Sequence, residues 1–210
     1  FTTLAFPFSP LIDKILENGR FDFVADFSSE ITVGMIFQML GLPPQDSAEM
    51  RNRVVLAIST DKEARGRNAE LNAAFSGLSQ FISDEVAERR KKPKDDLVTM
   101  LAEAEIDGDR LSEREVVLTT TMFVVAGVES LSSFLSIFAL NLHDHPEARK
   151  RICGDPALLP KALEESLRFN TSAQRFKRVL TKDVELHDQT MRAGDGVIMA
   201  YGSANRDERK

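Results

Sequence analysis

The chain has 210 residues, of which 42% are hydrophobic and 29% charged, a balance typical of globular proteins. Its net charge of -6 argues against a protein whose main task is to bind nucleic acid. A single cysteine excludes an internal disulfide and any CxxC-type zinc or iron–sulfur site. The longest apolar stretch, 116–128, is shorter than the roughly 20 residues that span a bilayer, and Glu129 interrupts it. We therefore predict no membrane helix.

Hydrophobic periodicity predicts helices over the first half of the chain. Gly19 and the Gly-Leu-Pro-Pro segment 41–44 are stop signals, because glycine favours the C-cap and proline cannot continue a helix. A break is predicted at 91–96 and a turn at 106–109. The predicted helices are 11–18, 21–40, 47–59, 64–92 and 97–105.

The next predicted helix is the longest. Ser112 and Glu115 form a capping box, which predicts a helix from there to about His143, roughly 45 Å long. Its residues are apolar on nearly every side, which predicts burial all round. Two shorter helices, 146–154 and 160–169, follow.

From residue 177 onward the pattern changes to β-rich segments separated by turns. Strands are predicted at 178–181, 184–187 and 197–201, with turns at 188–189 and 193–196. The predicted fold class is mainly α with a small antiparallel β region. The helical body covers about 11–170 and the small β-sheet region about 175–203.

The centre of the long helix, residues 126–130 (AGVES), combines a glycine, a carboxylate and a hydroxyl in an otherwise apolar helix. A mid-helix glycine costs about 1 kcal/mol relative to alanine, and Ser130 can bond back to the i-4 carbonyl. One interpretation is a site where a flat ligand lies against Ala126 and Gly127. The other is a close helix crossing, with Glu129 in a structural ion pair.

Two further patterns are weak when taken singly. Glu165 and Arg168 share a helix face at i, i+3. Arg175, Lys177 and Arg178 open the first strand of the β region, either to bind a ligand carboxylate or phosphate or to discourage edge aggregation.

Three other patterns are interpreted as structural. His143 and His145 straddle a helix end, far in sequence from the third histidine, so we predict no histidine metal site. The basic run 89–94 suits a solvated helix C-terminus. The acidic pair 95–96 lacks the third acid of a terpene-cyclase motif, because Thr99 occupies that place.

Taken in order, the motifs resemble those of the cytochrome P450 monooxygenases, especially the soluble bacterial type, over nearly the whole chain. The matching segments are 19–24 (GRFDFV) with 40–43 (LGLP) and Asp46, 93–97 (PKDDL) with 107–112 (DGDRLS), 126–130 (AGVES), 165–168 (ESLR), Arg178 with Asp183, 193–195 (AGD) and 204–207 (ANRD). The resemblance implies that residues 1–210 are part of a single P450 domain, a partial P450 fold with a long central helix.

The resemblance also implies roles for individual residues. Glu129 and Ser130 would be the acid–alcohol pair that relays protons to dioxygen at the haem. Serine lacks the methyl group of the threonine that the family more often uses, which would hold the hydroxyl less firmly and favour leakage to peroxide. Arg178 would bind a haem propionate, and Glu165 and Arg168 would be a buried structural pair. The distal pocket would be lined by Met122, Ala126 and Gly127 towards the haem and by Phe123 and Val125 towards the substrate.

The implied cofactor is haem, iron protoporphyrin IX, whose axial ligand in this family is a cysteine in a Phe-x-x-Gly-x-x-x-Cys-x-Gly loop. Cys153 has neither that loop around it nor the expected place after the Glu-x-x-Arg motif. The ligand is therefore expected beyond Lys210, and these 210 residues alone are expected to be inactive.

The implied activity is hydroxylation of a small apolar substrate with O2 and electrons from a ferredoxin-type donor. No nucleic acid partner and no membrane are expected, and the implied location is the cytoplasm. Two alternatives stay open at this point. One is a helical interaction or regulatory module without a cofactor, which requires a paired Glu129 and no cavity beside Ala126 and Gly127. The other is a peroxide-using haem protein of the same fold, which would usually carry another pair at 129–130.

Overall fold

The structure, a computed structural model, describes residues 8–43, 47–59 and 68–209. It divides into two compact units, Phe1–Ser133 and Phe134–Lys210, and helix α6 contributes to both. The helices are α1 Phe8–Asn18, α2 Ser29–Leu40, α3 Ser47–Ile58, α4 Ala69–Lys91, α5 Leu97–Glu103, α6 Glu113–Asp144, α7 Pro146–Gly154, α8 Leu159–Phe169 and α9 Tyr201–Ala204. The strands are β1 Glu105–Ile106, β2 Asp109–Arg110, β3 Phe176–Val179, β4 Val184–Leu186, β5 Gln189–Met191 and β6 Gly196–Met199.

In the first unit, the predicted helix 21–40 is present but begins later and is irregular. Asp22 caps it by accepting hydrogen bonds from the amides of Val24 and Ala25, both at 2.8 Å. A π-helical turn, Phe23–Ser28, then leads into α2. The helix ends as predicted at Gly41, whose φ of +68° is a left-handed conformation that glycine adopts without strain.

Two boundaries between α3 and α6 differ from the prediction. Helix α4 begins at Ala69 because Asn68 caps it, accepting from the Leu71 amide at 3.0 Å; residues 64–67 of the predicted helix lie outside the described residues. Helix α5 stops at Glu103, and an antiparallel hairpin of β1 and β2 follows, with Glu105 opposite Arg110. Sequence periodicity missed this hairpin, since each strand has only two residues.

Helix α6 follows its prediction closely at both ends. The capping box forms: the Ser112 amide donates to Glu115 Oε2 at 2.8 Å, and the Glu115 amide donates to Ser112 Oγ at 3.3 Å. The side-chain and backbone hydrogen bonds from Ser112 lower the pKa of Glu115. The helix then runs for 32 residues, about 48 Å, to Asp144.

The prediction that α6 is buried on every side is wrong. One face is buried in the first unit, at the four-residue spacing that aligns side chains along a helix, and its residues are Val116, Thr120, Val124, Val128 and Ser132. The opposite face is open, and Met122 is 59% exposed. Apolar residues of α6 such as Met122 and Phe123 lie outside its buried face, so an apolar helix surface did not predict burial here.

The buried hydroxyl of Thr120 on this face is expected to destabilise the fold. Its Oγ1 has no hydrogen-bond partner among the described residues, and the residue is fully buried. An unsatisfied buried hydroxyl costs about 1–3 kcal/mol, and valine has nearly the same shape. We expect Thr120→Val to raise the free energy of unfolding by about 1 kcal/mol in a urea titration. The matched control is Thr121→Val, because Thr121 Oγ1 already donates to the Val117 carbonyl at 2.7 Å; equal gains in both variants would contradict the prediction.

The second unit contains α7, a 3₁₀ turn Pro156–Leu158, α8, four strands and α9. The β region forms two separate two-stranded antiparallel sheets, β3 with β6 and β4 with β5. The predicted strand bounds are shifted by one or two residues, and β5 and α9 were missed. The β4–β5 turn lies at His187 and Asp188, one residue earlier than predicted, and both residues have positive φ, as a tight two-residue hairpin requires.

Two segments satisfy the length and composition of a membrane-spanning helix, Phe23–Leu40 and Glu113–Asp144. The core helix of a globular protein satisfies the same criteria, and Phe23–Leu40 packs into the core of the first unit. The prediction that neither segment spans a membrane stays a prediction.

Candidate functional site

An apolar groove of about 490 Å³ runs along the open face of α6. It is lined by Ile36, Thr119, Met122, Phe123, Ala126 and Gly127. Four of these residues were predicted from the sequence to border a ligand, and the structure brings them together on one helix face. The groove is open to solvent along its length and offers one hydroxyl, that of Thr119.

Gly127 serves the helix crossing as well as the groove. A Cβ at this position would lie 2.4 Å from Ile36 Cδ1 and 3.0 Å from Ile36 Cγ1, so α2 and α6 approach too closely for any larger residue without a shift. Gly127 therefore allows the close helix crossing of the second interpretation, and the exposed Ala126 lines the groove. The flat ligand of the first interpretation stays a prediction.

A double-mutant cycle tests this crossing. Gly127→Ala gains about 1 kcal/mol of helix propensity but overpacks by about 1–3 kcal/mol. We therefore expect a net loss of about 1 kcal/mol in the free energy of unfolding. Ile36→Val removes Cδ1, so the double variant should be more stable than the sum of the single changes by about 1 kcal/mol or more. If the change in the free energy of unfolding of the double variant equalled the sum of the two single changes, the two side chains would not be in contact.

Glu129 lies beside a groove of its own, and Ser130 lines neither that groove nor the apolar one. The exposed Ser130 follows Ala126 by one turn and donates from Oγ to the Ala126 carbonyl at 2.5 Å. Glu129 lines a second groove, of about 550 Å³, between the π-helical turn, α2 and α3, and Arg51 lines the same groove. Ser133 Oγ donates to Glu129 Oε1 at 3.4 Å. Among the described residues Glu129 forms no ion pair, which differs from what a purely structural role requires.

The structure does not bring Val125 to either groove. Its side chain is partly buried and packs against the hydrophobic core of the first unit. Its predicted contact with a substrate stays a prediction.

Glu165 and Arg168 do pair, within the second unit. Arg168 Nε and Nη2 donate to the two Glu165 carboxylate oxygens, both at 2.7 Å, and Arg168 Nη1 donates to the Asn205 carbonyl at 2.7 Å. The hydrogen bonds from Arg168 lower the pKa of Glu165. The expected burial is wrong, because the side chain of Arg168 is 49% exposed and that of Glu165 is 59% exposed.

Arg178 lies in the middle of β3, opposite Val197 of β6. Its side chain is exposed, and Nη1 donates to the Lys177 carbonyl at 3.1 Å. No carboxylate among the described residues forms an ion pair with it. Arg175 precedes β3 and is also exposed. Asp183 has other partners: the Ala193 amide and Arg192 Nη1 both donate to it and lower its pKa.

The cysteine and histidine patterns form no further candidate site among the described residues. Cys153 is exposed in the last turn of α7. His145 is edge-on to Phe169 at 5.7 Å between ring centroids, a packing contact. Across residues 8–43, 47–59 and 68–209 there is no group of three metal-ligating side chains.

The sequence analysis missed Arg51 and Ile36, which reach the two grooves from other helices. Both lie in predicted helices, but no local pattern says which face of α2 or α3 meets α6. It also missed three buried serines near Glu129, since serine in a helix is usually exposed.

The sequence profile of the family described as "Cytochrome P450" matches residues 20–155 and 156–209. The chain is 33% identical over 201 residues to a steroid C26-monooxygenase of Mycobacterium tuberculosis, covering 94% of this chain and 50% of the relative. It is 35% identical over 202 residues to a nocardicin C N-oxygenase of Nocardia uniformis subsp. tsuyamanensis, covering 95% of this chain and 50% of the relative. The chain thus spans about half the length of the curated relatives it matches.

Solved structures agree. The P450 PksS of Bacillus subtilis 168 superimposes with a TM-score of 0.88 at 27% identity, covering 95% of this chain and 51% of that one. The ligand-free cytochrome P450 TbtJ1 superimposes with a TM-score of 0.84 at 35% identity, covering 95% of this chain and 54% of that one. Since the family profile matches nearly the whole chain and the fold is shared, this chain belongs to the cytochrome P450 family.

Proposed function

We propose that this chain is the central part of a haem-dependent monooxygenase that hydroxylates a small apolar substrate. The observation that carries the proposal is the open apolar groove along α6, with Glu129 and Ser130 one turn beyond Ala126. Haem-thiolate is the cofactor of the family, and when bound it supplies the activation of dioxygen. The proposed electron donor is a ferredoxin-type protein, and the proposed location is the cytoplasm.

Residues of the two units, each taken separately, fit different parts of such a cofactor. A flat, largely apolar macrocycle needs an apolar wall with small residues, and Met122, Ala126 and Gly127 provide one. Its propionates need a cation, and Arg178 has no carboxylate partner among the described residues. Guanidinium groups bind carboxylates well because their donors match the two oxygens.

In the proposed reaction Glu129 takes protons from water in the second groove and Ser130 passes them on. Oxygen activation requires protons delivered by a positioned donor while bulk water is kept out. The apolar lining contributed by Met122 and Phe123 would exclude water on the reacting side. The hydrogen bond from Ser130 Oγ to the Ala126 carbonyl has to open for that hydroxyl to turn towards a ligand.

The substrate is proposed only as small and apolar. The relatives' names differ widely, from a steroid monooxygenase to a nocardicin N-oxygenase, so they do not identify it. Arg175, exposed just before β3, is a candidate partner for a polar group of the substrate.

The helical module without a cofactor is the weaker alternative. It requires an ion-paired Glu129 and a filled surface beside Ala126 and Gly127. A groove borders both residues, and no described cation pairs with Glu129. The peroxide-using alternative is disfavoured by the acid–alcohol pair itself.

The test is the spectrum of the reduced carbon monoxide complex of the full-length protein. We expect the Soret position typical of a thiolate-ligated haem, and we expect the same spectrum from a full-length Cys153→Ser variant. The 210-residue chain alone should not show it. A thiolate spectrum that depends on Cys153, or none from the full-length protein with haem supplied, would overturn the proposal.

A further inference from the structure

A buried cluster of hydroxyl groups joins α6 to the π-helical turn and α2. Ser132 Oγ lies 3.0 Å from Ser28 Oγ and 3.1 Å from Ser29 Oγ. We name these three serines the hydroxyl clamp. Ser132 is 4% exposed, Ser28 0% and Ser29 9%. Beside them, Thr32 Oγ1 donates to the Val128 carbonyl at 3.2 Å. Side chains of the preceding segment therefore hold α6 at two positions one turn apart.

These two positions bracket Glu129. Val128 precedes it by one residue and Ser132 follows it by three, so both lie on the helix face adjacent to the carboxylate. Successive side chains in a helix are rotated by about 100°. Fixing the rotation of α6 at Val128 and Ser132 therefore fixes the direction in which Glu129 leaves the helix.

The clamp also reaches the groove that Glu129 lines. Ser29 forms part of the wall of this second groove together with Arg51 of α3, and we call it the Arg51 groove. Arg51 is held on the far wall by the Ala25 carbonyl at 3.1 Å and by Glu30 at 3.5 Å. Arg51, paired with Glu30 of α2, is thus a charged group of the groove that Glu129 lines.

Stability alone does not account for three buried serines at a helix crossing. Apolar side chains of similar size would avoid the desolvation cost of the hydroxyls. A satisfied polar network, in contrast, selects one arrangement of the packed helices, since any other rotation breaks its bonds. The advantage of the clamp is therefore geometric.

We propose that the hydroxyl clamp is a positioning device that aims the Glu129 carboxylate into the Arg51 groove, with Ser132 as its central residue. This inference rests on the proposed function, in which Glu129 takes up protons from that groove. No atom of the clamp needs to touch the substrate or the haem.

The test compares Ser132→Ala with Ser166→Ala in the full-length protein. Ser166 is a matched control, because it is also a helical serine, 5% exposed, and its Oγ accepts a hydrogen bond from Asn141 at 2.7 Å. The first readout needs no activity: amide hydrogen exchange of residues 126–133. We expect Ser132→Ala to speed exchange there by about tenfold relative to Ser166→Ala, with Ser28→Ala and Ser29→Ala giving smaller effects.

The second readout is the ratio of hydroxylated product to hydrogen peroxide. We expect Ser132→Ala to lower it by about tenfold or more, because a small misplacement of a catalytic group is costly, while KM for the substrate stays unchanged. Unchanged exchange at 126–133, or faster exchange with an unchanged product-to-peroxide ratio, would overturn the clamp as a positioning device. If the full-length protein shows no monooxygenase activity at all, the proposed function fails, and the exchange experiment still decides whether the clamp holds α6.

Discussion

Replacing Asp96 by asparagine should lower the free energy of unfolding by about 3 kcal/mol or more. Arg89 is 1% exposed, and its Nε donates to Asp96 Oδ2 at 2.7 Å while Nη1 donates to Glu85 Oε2 at 2.7 Å. Arg89 Nη2 also donates to the Gly41 carbonyl. One buried guanidinium thus joins the ends of α2, α4 and α5, so the prediction of a solvated basic run at 89–94 is wrong for Arg89. Removing the Asp96 charge leaves Glu85 as the single carboxylate among the described residues that pairs with this buried guanidinium, and breaking a buried ion pair from one side is costly.

The neighbouring Asp95 supplies the control. It is exposed, so Asp95→Asn should change the free energy of unfolding by less than about 0.5 kcal/mol. Asp96 has a second role that asparagine retains in part, since its Oδ1 accepts from the Thr99 amide at 2.8 Å and caps α5. Similar urea midpoints for the two variants would refute the importance of this buried cluster.

The same cluster predicts how stability depends on pH. Burial raises the pKa of Asp96, but hydrogen bonds from Arg89 and Thr99 outweigh it, and the pKa is held below its usual range. A depressed carboxyl pKa contributes stability that is complete above the unfolded value of about 3.9 and is lost as pH falls through the folded value. We expect Asp96→Asn to reduce the acid sensitivity of the first unit below that pH, measured by urea titrations at several pH values.

Glu129→Gln should lower the rate of product formation by on the order of 100-fold in the full-length protein. Glutamine keeps the size and the hydrogen-bonding oxygen of the side chain but cannot take up and release a proton near neutral pH. The haem spectrum and the spectral response to substrate should be unchanged, because Glu129 lies beside the Arg51 groove rather than in the wall of the apolar groove.

Glu113→Gln is the matched control, since it makes the same change at an exposed position of the same helix. It should retain nearly full activity. If Glu129→Gln were as active as Glu113→Gln, or if it lost its haem, the proposed proton relay would be wrong.

Much of this protein is encoded locally. The capping box at Ser112 and Glu115 places the start of α6, and Gly41 places the end of α2, because each depends on hydrogen bonds or backbone conformations within a few residues. The pairing of Glu165 with Arg168 is likewise a consequence of helical spacing. The ordered motifs, including residues 126–130, were enough to indicate the P450 family.

Three features could not be derived this way: the exposure of α6, the exposure of the Glu165–Arg168 pair, and the place of Glu129 in a groove lined by α3. Each depends on which helix faces meet, and such contacts join residues far apart in the sequence, as Gly127 meets Ile36. Local sequence therefore determined the helices, their ends and the chemical groups at the centre of α6. Only tertiary packing decided that Arg51 and Ser29 would line a groove with Glu129 and that Ser28 would bond to Ser132, because burial and hydrogen bonding between distant segments are properties of the assembled fold.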